Sequence, residues 1–276
     1  MKGLRRLVKH SRPRFWLYLA GTFATGFAAG APRGDVFLSF EFFALLFYFL
    51  IPANVYLYGV NDVFDTDTDA VNSKKEGREA RFTGDKSFIG AVFYMAVLTC
   101  FVIVFLPWKP GLMVAAFFAL STMYSAAPIR LKARPFLDSM SNALYIFPGL
   151  TGYVMHGAGL DVFLVLGLFA WSAAMHLYSA IPDIDADSSV GVTTTAVYLG
   201  ETRSYALCGV LWTVFAAAMA TVNAWLGLLS LFYVGMVVYT YLSGDIDTVY
   251  WYYPFINGLV GFIGFWFCAW RFLPWM

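Results

Sequence analysis

Long apolar segments follow one another along almost the whole chain, and this feature restricts its fold more than any other. A helix that crosses the hydrocarbon of a bilayer needs about 20 mostly apolar residues. The sequence holds enough such segments for nine membrane-spanning helices, which we place at about 14–32, 37–58, 88–107, 110–127, 139–157, 161–181, 203–222, 224–243 and 253–273. The sequence therefore predicts an all-α integral membrane protein, a bundle of nine transmembrane helices.

The composition agrees with a membrane protein. Charged residues make up 13% of the 276 residues, whereas hydrophobic residues make up 60%. Soluble domains average about 25% charged residues, so the composition excludes that class. We expect one transmembrane domain over residues 1–276 and, with a net charge of +1, no nucleic-acid partner. The cysteines lie far apart inside apolar segments, which indicates packing rather than a metal site or disulfides.

Most of the polar residues fall in loops that nine helices would place on one side of the membrane. These are loop A (59–87), loop B (128–138), loop C (182–202) and a short loop at 244–252. Of the 18 Lys and Arg residues, 15 lie in or beside these loops and the N-terminal segment. Cytoplasmic loops carry such an excess of basic residues. We therefore predict that the N-terminus and the acidic loops are cytoplasmic.

Loop A begins with an acidic motif formed by Asn61, Asp62, Asp65 and Asp69. The three aspartates lie three and seven residues apart, so they share one face if the preceding helix continues. Two like charges about 4 Å apart repel by about 4 kcal/mol at an effective dielectric near 20, which a bound divalent cation would relieve. Oxygen ligands suit Mg²⁺, which binds proteins through one or two carboxylates and substrate phosphates.

Basic residues follow this motif in loop A. Lys74 and Arg78, with their neighbours Lys75 and Arg81, are suited to hold phosphate oxygens. The alternative interpretation of the whole segment is a solvated acidic loop. A calcium-binding EF-hand is excluded, because the required glycine and glutamate positions are not filled.

Loop C carries the second acidic motif. Asp183 and Asp187 lie four residues apart and share a helix face, whereas Asp185 points elsewhere. Two acidic motifs at helix ends, on one predicted side of the membrane, favour a diphosphate site with two Mg²⁺ ions over a purely structural role.

The two motifs together resemble those of the UbiA-type intramembrane prenyltransferases. Asn61, Asp62, Asp65 and Asp69 match that superfamily's NDxxDxxxD motif, and Asp183 with Asp187 matches its DxxxD motif. The resemblance covers almost the whole chain. It implies nine helices around a central cavity, Mg²⁺ bound by these aspartates, and an isoprenyl diphosphate and a lipophilic acceptor as substrates. Asp67 and Asp185 are additional carboxylates next to the motif residues. Which aspartates bind the metal is therefore open by one position.

Loop B extends the resemblance. Tyr124, Ser125, Pro128, Arg130 and Lys132 are similar to the superfamily's YS-x-x-P-x-R-x-K stretch, in which the two basic residues would bind the diphosphate. Two cations at a helix exit would also neutralise a leaving diphosphate. The alternative is that they are ordinary basic loop residues.

Three further stretches resemble one branch of the superfamily, the lycopene elongases that make C50 carotenoids. They are Ser11–Trp16, Met175–Ile184 and Thr193–Ala196. The branch implies dimethylallyl diphosphate as donor and the end of lycopene as acceptor. Prenyltransferases of aromatic, quinone-precursor or chlorin acceptors share the acidic motifs and are the alternative.

Several polar or aromatic residues adjoin the loops and are further candidates for substrate binding. His176 lies seven residues before Asp183, on the same helix face. Aromatic rings there could stabilise an allylic cation by cation–π attraction. These candidates are Asn54, Tyr58, Tyr124, His176 and Tyr178, whereas we assign His10 and His156 no role.

Two other classes of protein remain as alternatives. Charges inside a membrane also mark transport pathways, but here the acidic residues gather at helix ends and no inverted repeat is evident. A non-catalytic partner subunit is disfavoured by the intact acidic motifs, and the sequence does not identify any subunit partner.

The predicted orientation can be tested by labelling from either side of the membrane. In a variant with Cys100, Cys208 and Cys268 replaced, we expect Lys75→Cys to react with a membrane-impermeant thiol reagent only after the cytoplasmic side is opened. A cysteine at Lys109 is the matched control and should react from outside. Labelling of position 75 in intact cells would contradict the orientation.

Overall fold

The computed structural model describes residues 7–64, 82 and 84–272, and every regular element in this part of the chain is helical. The α-helices are α1 (Trp16–Gly30), α2 (Phe40–Leu50), α3 (Pro52–Phe64), α4 (Lys86–Phe105), α5 (Trp108–Ser125), α6 (Leu137–Ser141), α7 (Phe147–Val154), α8 (Val162–Ala180), α9 (Ile184–Ser189), α10 (Thr195–Leu199), α11 (Glu201–Val222), α12 (Ala224–Ser243) and α13 (Ile246–Ala269). Six of the helical segments in this part of the chain are long and apolar enough to cross a membrane. The count of nine spans stays a prediction.

The predicted span at 139–157 is wrong as a single helix. α6 ends at Ser141, a 3-10 turn follows over Asn142–Tyr145, and α7 starts at Phe147. Pro148 stands near the start of α7, where a missing N–H costs nothing, but inside a continuous helix it would remove a hydrogen bond. The buried Asn142 side chain instead donates a 2.6 Å hydrogen bond to the carbonyl of Ser172.

The predicted span at 37–58 is divided at Ile51, because Pro52 cannot donate to the preceding turn. The fully buried Asn54 compensates for this break. Its Nδ2 donates to the carbonyl oxygens of Phe49 at 2.8 Å and Leu50 at 3.0 Å. Carbonyls left open at a helix end are therefore satisfied by a side chain four or five residues further on.

The chain forms two compact units, and the first comprises residues 1–129, 147–158 and 261–276. Its core includes a close crossing of α1 and α7. A Cβ on Gly152 would lie 2.6 Å from the backbone nitrogen of Phe27, and one on Gly26 would collide with the carbonyl of Gly149. Small residues thus let the two backbones touch, which is the usual way in which membrane helices pack.

The second unit comprises residues 130–146 and 159–260 and carries the second acidic motif. α11 packs against both α8 and α12. Its core is aromatic, with Trp212 stacked on Tyr233 at 5.3 Å between ring centroids. The hydroxyl of Tyr178 in this core shares a 2.8 Å hydrogen bond with Thr240. The α8 helix that leads to Asp183 is therefore held firmly.

Candidate functional site

The first acidic motif starts inside α3, so its first two polar residues have a fixed position in the first unit. Asn61 and Asp62 belong to the last turn of this helix. The predicted site residues Asp65, Asp69, Lys74 and Arg78 lie outside the described residues.

Asp62 is buried and bonded through both carboxylate oxygens. Its side chain is only 1% exposed. Oδ2 lies 2.7 Å from Nδ1 of His10, and Oδ1 accepts a 3.1 Å hydrogen bond from Nη2 of Arg12. Burying a carboxylate is costly unless it is paired and hydrogen-bonded, and these two residues supply that pairing.

The segment that carries Arg12 is itself bound to α3. Arg12 adopts a left-handed backbone conformation with φ 50°, and its guanidinium lies 4.8 Å from the centre of the Tyr58 ring, a cation–π contact. Nε1 of Trp16 donates to the carbonyl of Ser11 at 3.1 Å. The Ser11–Trp16 segment is therefore compact and is bound to α3 through Arg12.

The contacts of His10 contradict the sequence interpretation, which gave this residue no role. Besides contacting Asp62, its ring lies 4.1 Å from the ring of Phe88. The histidine and the carboxylate are 52 residues apart in sequence. Because their pairing depends on helix packing, no local spacing could have revealed it.

Asn61 joins the first motif to the end of α5. Oγ of Ser125 donates a 3.0 Å hydrogen bond to Oδ1 of Asn61. One turn earlier in α5, Thr122 shares a 2.7 Å hydrogen bond with Tyr56. The Tyr124–Ser125 pair noted in the sequence therefore holds the first motif through its serine, and Tyr124 itself is half-buried.

Two predicted substrate-binding residues have structural duties of their own. The Asn54 amide nitrogen is committed to the break before α3. Tyr178 is fully buried and packs its ring 5.6 Å from that of Trp212. Substrate contacts by Asn54, Tyr58, Tyr124, His176 and Tyr178 stay predictions.

The second acidic motif spans a 3-10 turn and the start of a short helix. Asp183 ends the turn Ile181–Asp183, and Asp187 lies in α9. Both are half-buried, whereas Asp185 is exposed. This difference is what a spacing of four residues produces on a helical backbone.

Loop B, in the same unit, holds two predicted phosphate ligands in an unusual backbone. Arg130 has φ 39°, and Lys132 lies in the 3-10 turn Leu131–Ala133 that follows. Phe136, just before α6, has φ 66°. Both Arg130 and Lys132 are half-buried. Two residues with side chains in the left-handed region within seven positions indicate a loop that its surroundings hold in place.

A buried carboxylate that the sequence analysis missed stabilises this loop. Asp138 is fully buried, and its carboxylate accepts hydrogen bonds from the backbone N–H of Ser139 and of Thr195, both at 2.7 Å. The hydroxyl of Thr195 also donates to Oδ1 of Asp138. A single aspartate in a loop gives no pattern to recognise, so only the structure identifies it.

The described carboxylates suit Mg²⁺ only as a partial ligand set. No group of three or more His, Cys, Asp or Glu residues converges within the described part of the chain. Asp183 and Asp187 offer oxygen ligands alone, which match the preference of Mg²⁺. Because this ion commonly takes one or two carboxylates and completes its shell with water and substrate phosphates, the donor set fits a shared metal–diphosphate site.

The pairing of Asp62 yields a stability prediction. We expect Asp62→Asn to lower the unfolding free energy by about 2 kcal/mol, because Arg12 would lose its anionic partner in a largely buried place. Thermal unfolding in detergent measures this change. Asp185→Asn, which alters an exposed carboxylate, is the control and should unfold as the parent does.

A double-mutant cycle tests the cause. If Arg12 and Asp62 act as a pair, Arg12→Gln combined with Asp62→Asn should cost less than the sum of the two single changes. Additive losses would contradict the pairing.

Known proteins resemble this chain along nearly its full length. It is 44% identical over 255 residues to a lycopene elongase/hydratase from Haloferax volcanii, a match that covers 92% of this chain and 85% of the relative. It is 43% identical to the lycopene elongase/hydratase of Halobacterium salinarum, with 94% of this chain and 95% of the relative covered.

Solved structures share the fold. A UbiA homolog from Archaeoglobus fulgidus bound to GPP and Mg²⁺ has a TM-score of 0.73 at 20% identity, over 96% of this chain and 99% of that one. The same homolog bound to DMAPP and Mg²⁺ has a TM-score of 0.71 at 20% identity, with the same coverage. Residues 18–273 match the UbiA prenyltransferase family. The chain is therefore an integral membrane protein and an enzyme of the UbiA prenyltransferase family.

Proposed function

We propose that this enzyme transfers a dimethylallyl group from its diphosphate to the end of lycopene, in a reaction that requires Mg²⁺. The observation that carries the proposal is the similarity, over nearly the whole chain, to relatives named lycopene elongase/hydratase. The donor class is supported by the DMAPP and Mg²⁺ bound to the A. fulgidus homolog. The transporter alternative has no support, because the family is one of prenyltransferases.

The acidic motifs provide the proposed metal ligands. Asp65 and Asp69, with Asp62, would hold one Mg²⁺, and Asp183 with Asp187 would hold another. Asp62 differs from the rest, because both of its oxygens are bonded to His10 and Arg12. A metal ion at Asp62 would therefore compete with these two hydrogen bonds. Mg²⁺ bound at these motifs supplies neutralisation of the charge that grows on the leaving diphosphate.

Basic and amide groups of the chain complete the proposed diphosphate site. Arg130 and Lys132 are half-buried, so their charges are less screened than those of exposed residues. Lys74 and Arg78 of loop A would bind the remaining phosphate oxygens. Asn61 would help to orient the diphosphate. These cations stabilise the diphosphate most once it has left, which favours cleavage over mere binding.

The proposed reaction breaks the C–O bond of the donor, and the electron pair leaves with the diphosphate. The less substituted carbon of the terminal alkene of lycopene then attacks the allylic cation, which leaves a tertiary cation on the acceptor. Aromatic rings such as those of Tyr58 and Tyr178 would stabilise cationic character, and an apolar interior would delay attack by water. The relatives' name supports hydration as the last step, in which water adds its oxygen to the tertiary cation and releases a proton.

A hydrocarbon acceptor fits the side chains better than an aromatic one. A phenolic or carboxylated ring requires polar groups to orient it, and α8 offers few before the second motif. His176 and Ser179 are the main ones, and Oγ of Ser179 already donates to the carbonyl of His176 at 2.7 Å. Lycopene would enter from the bilayer, because it is apolar throughout. We keep the cytoplasmic orientation of the acidic loops as part of this proposal.

The metal ligands can be tested by removing charge while keeping shape. We expect Asp65→Asn and Asp183→Asn each to lower turnover by about 100-fold or more at saturating Mg²⁺, because an amide is a weaker ligand than a carboxylate. Both variants should still insert and elute as the parent does. Asp247→Asn, an exposed carboxylate outside the motifs, should keep its turnover. Near-full activity of either motif variant would remove that residue from the ligand set.

The acceptor can be identified in a host that accumulates lycopene. Expression of the chain should yield new C45 and C50 carotenoids. Each product should carry one added water molecule for every five-carbon unit that it has gained. The Asp183→Asn variant in the same host is the control and should leave lycopene unchanged. Unchanged lycopene with the parent chain, together with a prenylated quinone precursor or chlorin, would show an aromatic or chlorin acceptor instead.

A further inference from the structure

We propose that Asp138 and Thr195 form a clamp that fixes the basic loop B against the acidic loop C. Both are positioning residues, which set where Arg130 and Lys132 stand relative to Asp183 and Asp187 without touching the substrate. The inference rests on the proposed function, because it assigns the clamp to the diphosphate site.

The clamp is a closed set of hydrogen bonds between residues 57 to 59 positions apart. The Thr195 hydroxyl and backbone N–H both donate to the Asp138 carboxylate. The same hydroxyl accepts a 2.6 Å hydrogen bond from the backbone N–H of Phe136. One threonine side chain thus binds loop B at two points, before and within α6.

Burial shows that the clamp is part of the interior and not a surface contact. Asp138 is 0% exposed and Thr195 is 1% exposed. A carboxylate in such a place requires several hydrogen bonds, and here three N–H or O–H groups donate to it. Because these donors already occupy its oxygens, Asp138 is poorly placed to bind metal or phosphate directly.

The clamp acts on a strained part of loop B. Arg130 at φ 39° and Phe136 at φ 66° stand on either side of the turn that carries Lys132. Residues with a Cβ avoid this region, and they persist there only where the surroundings impose it. The Thr195 hydroxyl bonds the backbone of Phe136, one of the two strained residues. Loss of this bond would let loop B relax and move Arg130 and Lys132.

On the other side, the clamp is tied closely to the second acidic motif. The backbone N–H groups of Val190 and Val192 both donate to the carbonyl of Asp187, at 3.2 and 3.0 Å. Thr194 then caps α10 by accepting from the N–H of Val197. The chain from Asp187 to Thr195 is therefore short and folded back on itself, so a shift at one end is transmitted to the other.

Substitutions at Thr195 separate the hydroxyl from the volume of the side chain. Thr195→Val keeps the shape and the backbone N–H but removes the hydroxyl, whereas Thr195→Ser keeps the hydroxyl. At saturating Mg²⁺ we expect Thr195→Val to raise the KM for dimethylallyl diphosphate about tenfold, as the loss of two buried hydrogen bonds to a positioned loop would do. The KM for lycopene should stay within about twofold, because the acceptor does not contact loop B in this proposal.

Two further variants complete the comparison. Thr195→Ser should restore the donor KM to within about twofold of the parent. Thr193→Val changes an exposed threonine two residues away and should behave as the parent does. Asp138→Asn should resemble Thr195→Val, since an amide cannot accept from all three donors.

Hydrogen exchange provides a readout that does not depend on activity. In Thr195→Val, amides of residues 130–137 and of 187–195 should both exchange faster, whereas in Thr195→Ser neither should. Faster exchange around position 195 alone would overturn the coupling of the two loops. An unchanged donor KM in a folded Thr195→Val variant, or equal increases in the donor and lycopene KM values, would overturn the positioning role.

Failure of the proposed function would look different from failure of the clamp. If the parent chain transfers no dimethylallyl group, the function is wrong, and the exchange pattern still decides whether the loops are coupled. If the Asp138→Asn variant does not fold, the comparison of Thr195→Val with Thr195→Ser tests the positioning role by itself.

Discussion

A buried backbone must satisfy its own hydrogen bonds, and the described structure depends on this constraint. In hydrocarbon no water is available to the N–H and C=O groups, so apolar segments fold as helices. Where helices end or break, side chains form hydrogen bonds with the backbone groups that are left open. Asn54 satisfies the carbonyls before Pro52, and Arg271 donates to the carbonyls of Ala28, Ala29 and Ala31 at the end of α1. The breaks are thus stable features that can hold functional residues.

Two fully buried aspartates in the described part of the chain are stabilised in different ways. Asp62 is paired with Arg12 and His10, so its charge is balanced by a cation and a ring nitrogen. Asp138 is satisfied by backbone and hydroxyl donors, so it needs no counter-ion to be hydrogen-bonded. A carboxylate paired with an arginine side chain can exchange that partner for a metal, whereas one enclosed by backbone and hydroxyl donors is suited to hold its neighbours in place.

Much of the fold could be predicted from local sequence patterns, whereas the metal ligands stay predictions. Apolar length predicted an all-helical membrane protein, and the spacing of the second motif predicted the outward direction of Asp185. Other features depend on contacts between distant residues and leave no local pattern. The pairing of His10 with Asp62 and that of Asp138 with Thr195 are of this kind. The break at Asn142–Tyr145 was not predicted, because apolar residues continue through it. Only Pro148 indicates that the helix is interrupted there.

Prenyl transfer to a hydrocarbon demands two incompatible environments from one protein. The donor diphosphate needs concentrated charge, and the acceptor needs a region from which charge and water are absent. Charged side chains are costly inside a bilayer, so the acidic motifs can stand only where helices end. This requirement makes loop geometry decisive, since cations and metal ligands on loops must be placed as accurately as helical ones. Buried hydrogen bonds within the loops, such as those around Asp138, meet that need by fixing the backbone that carries the cations.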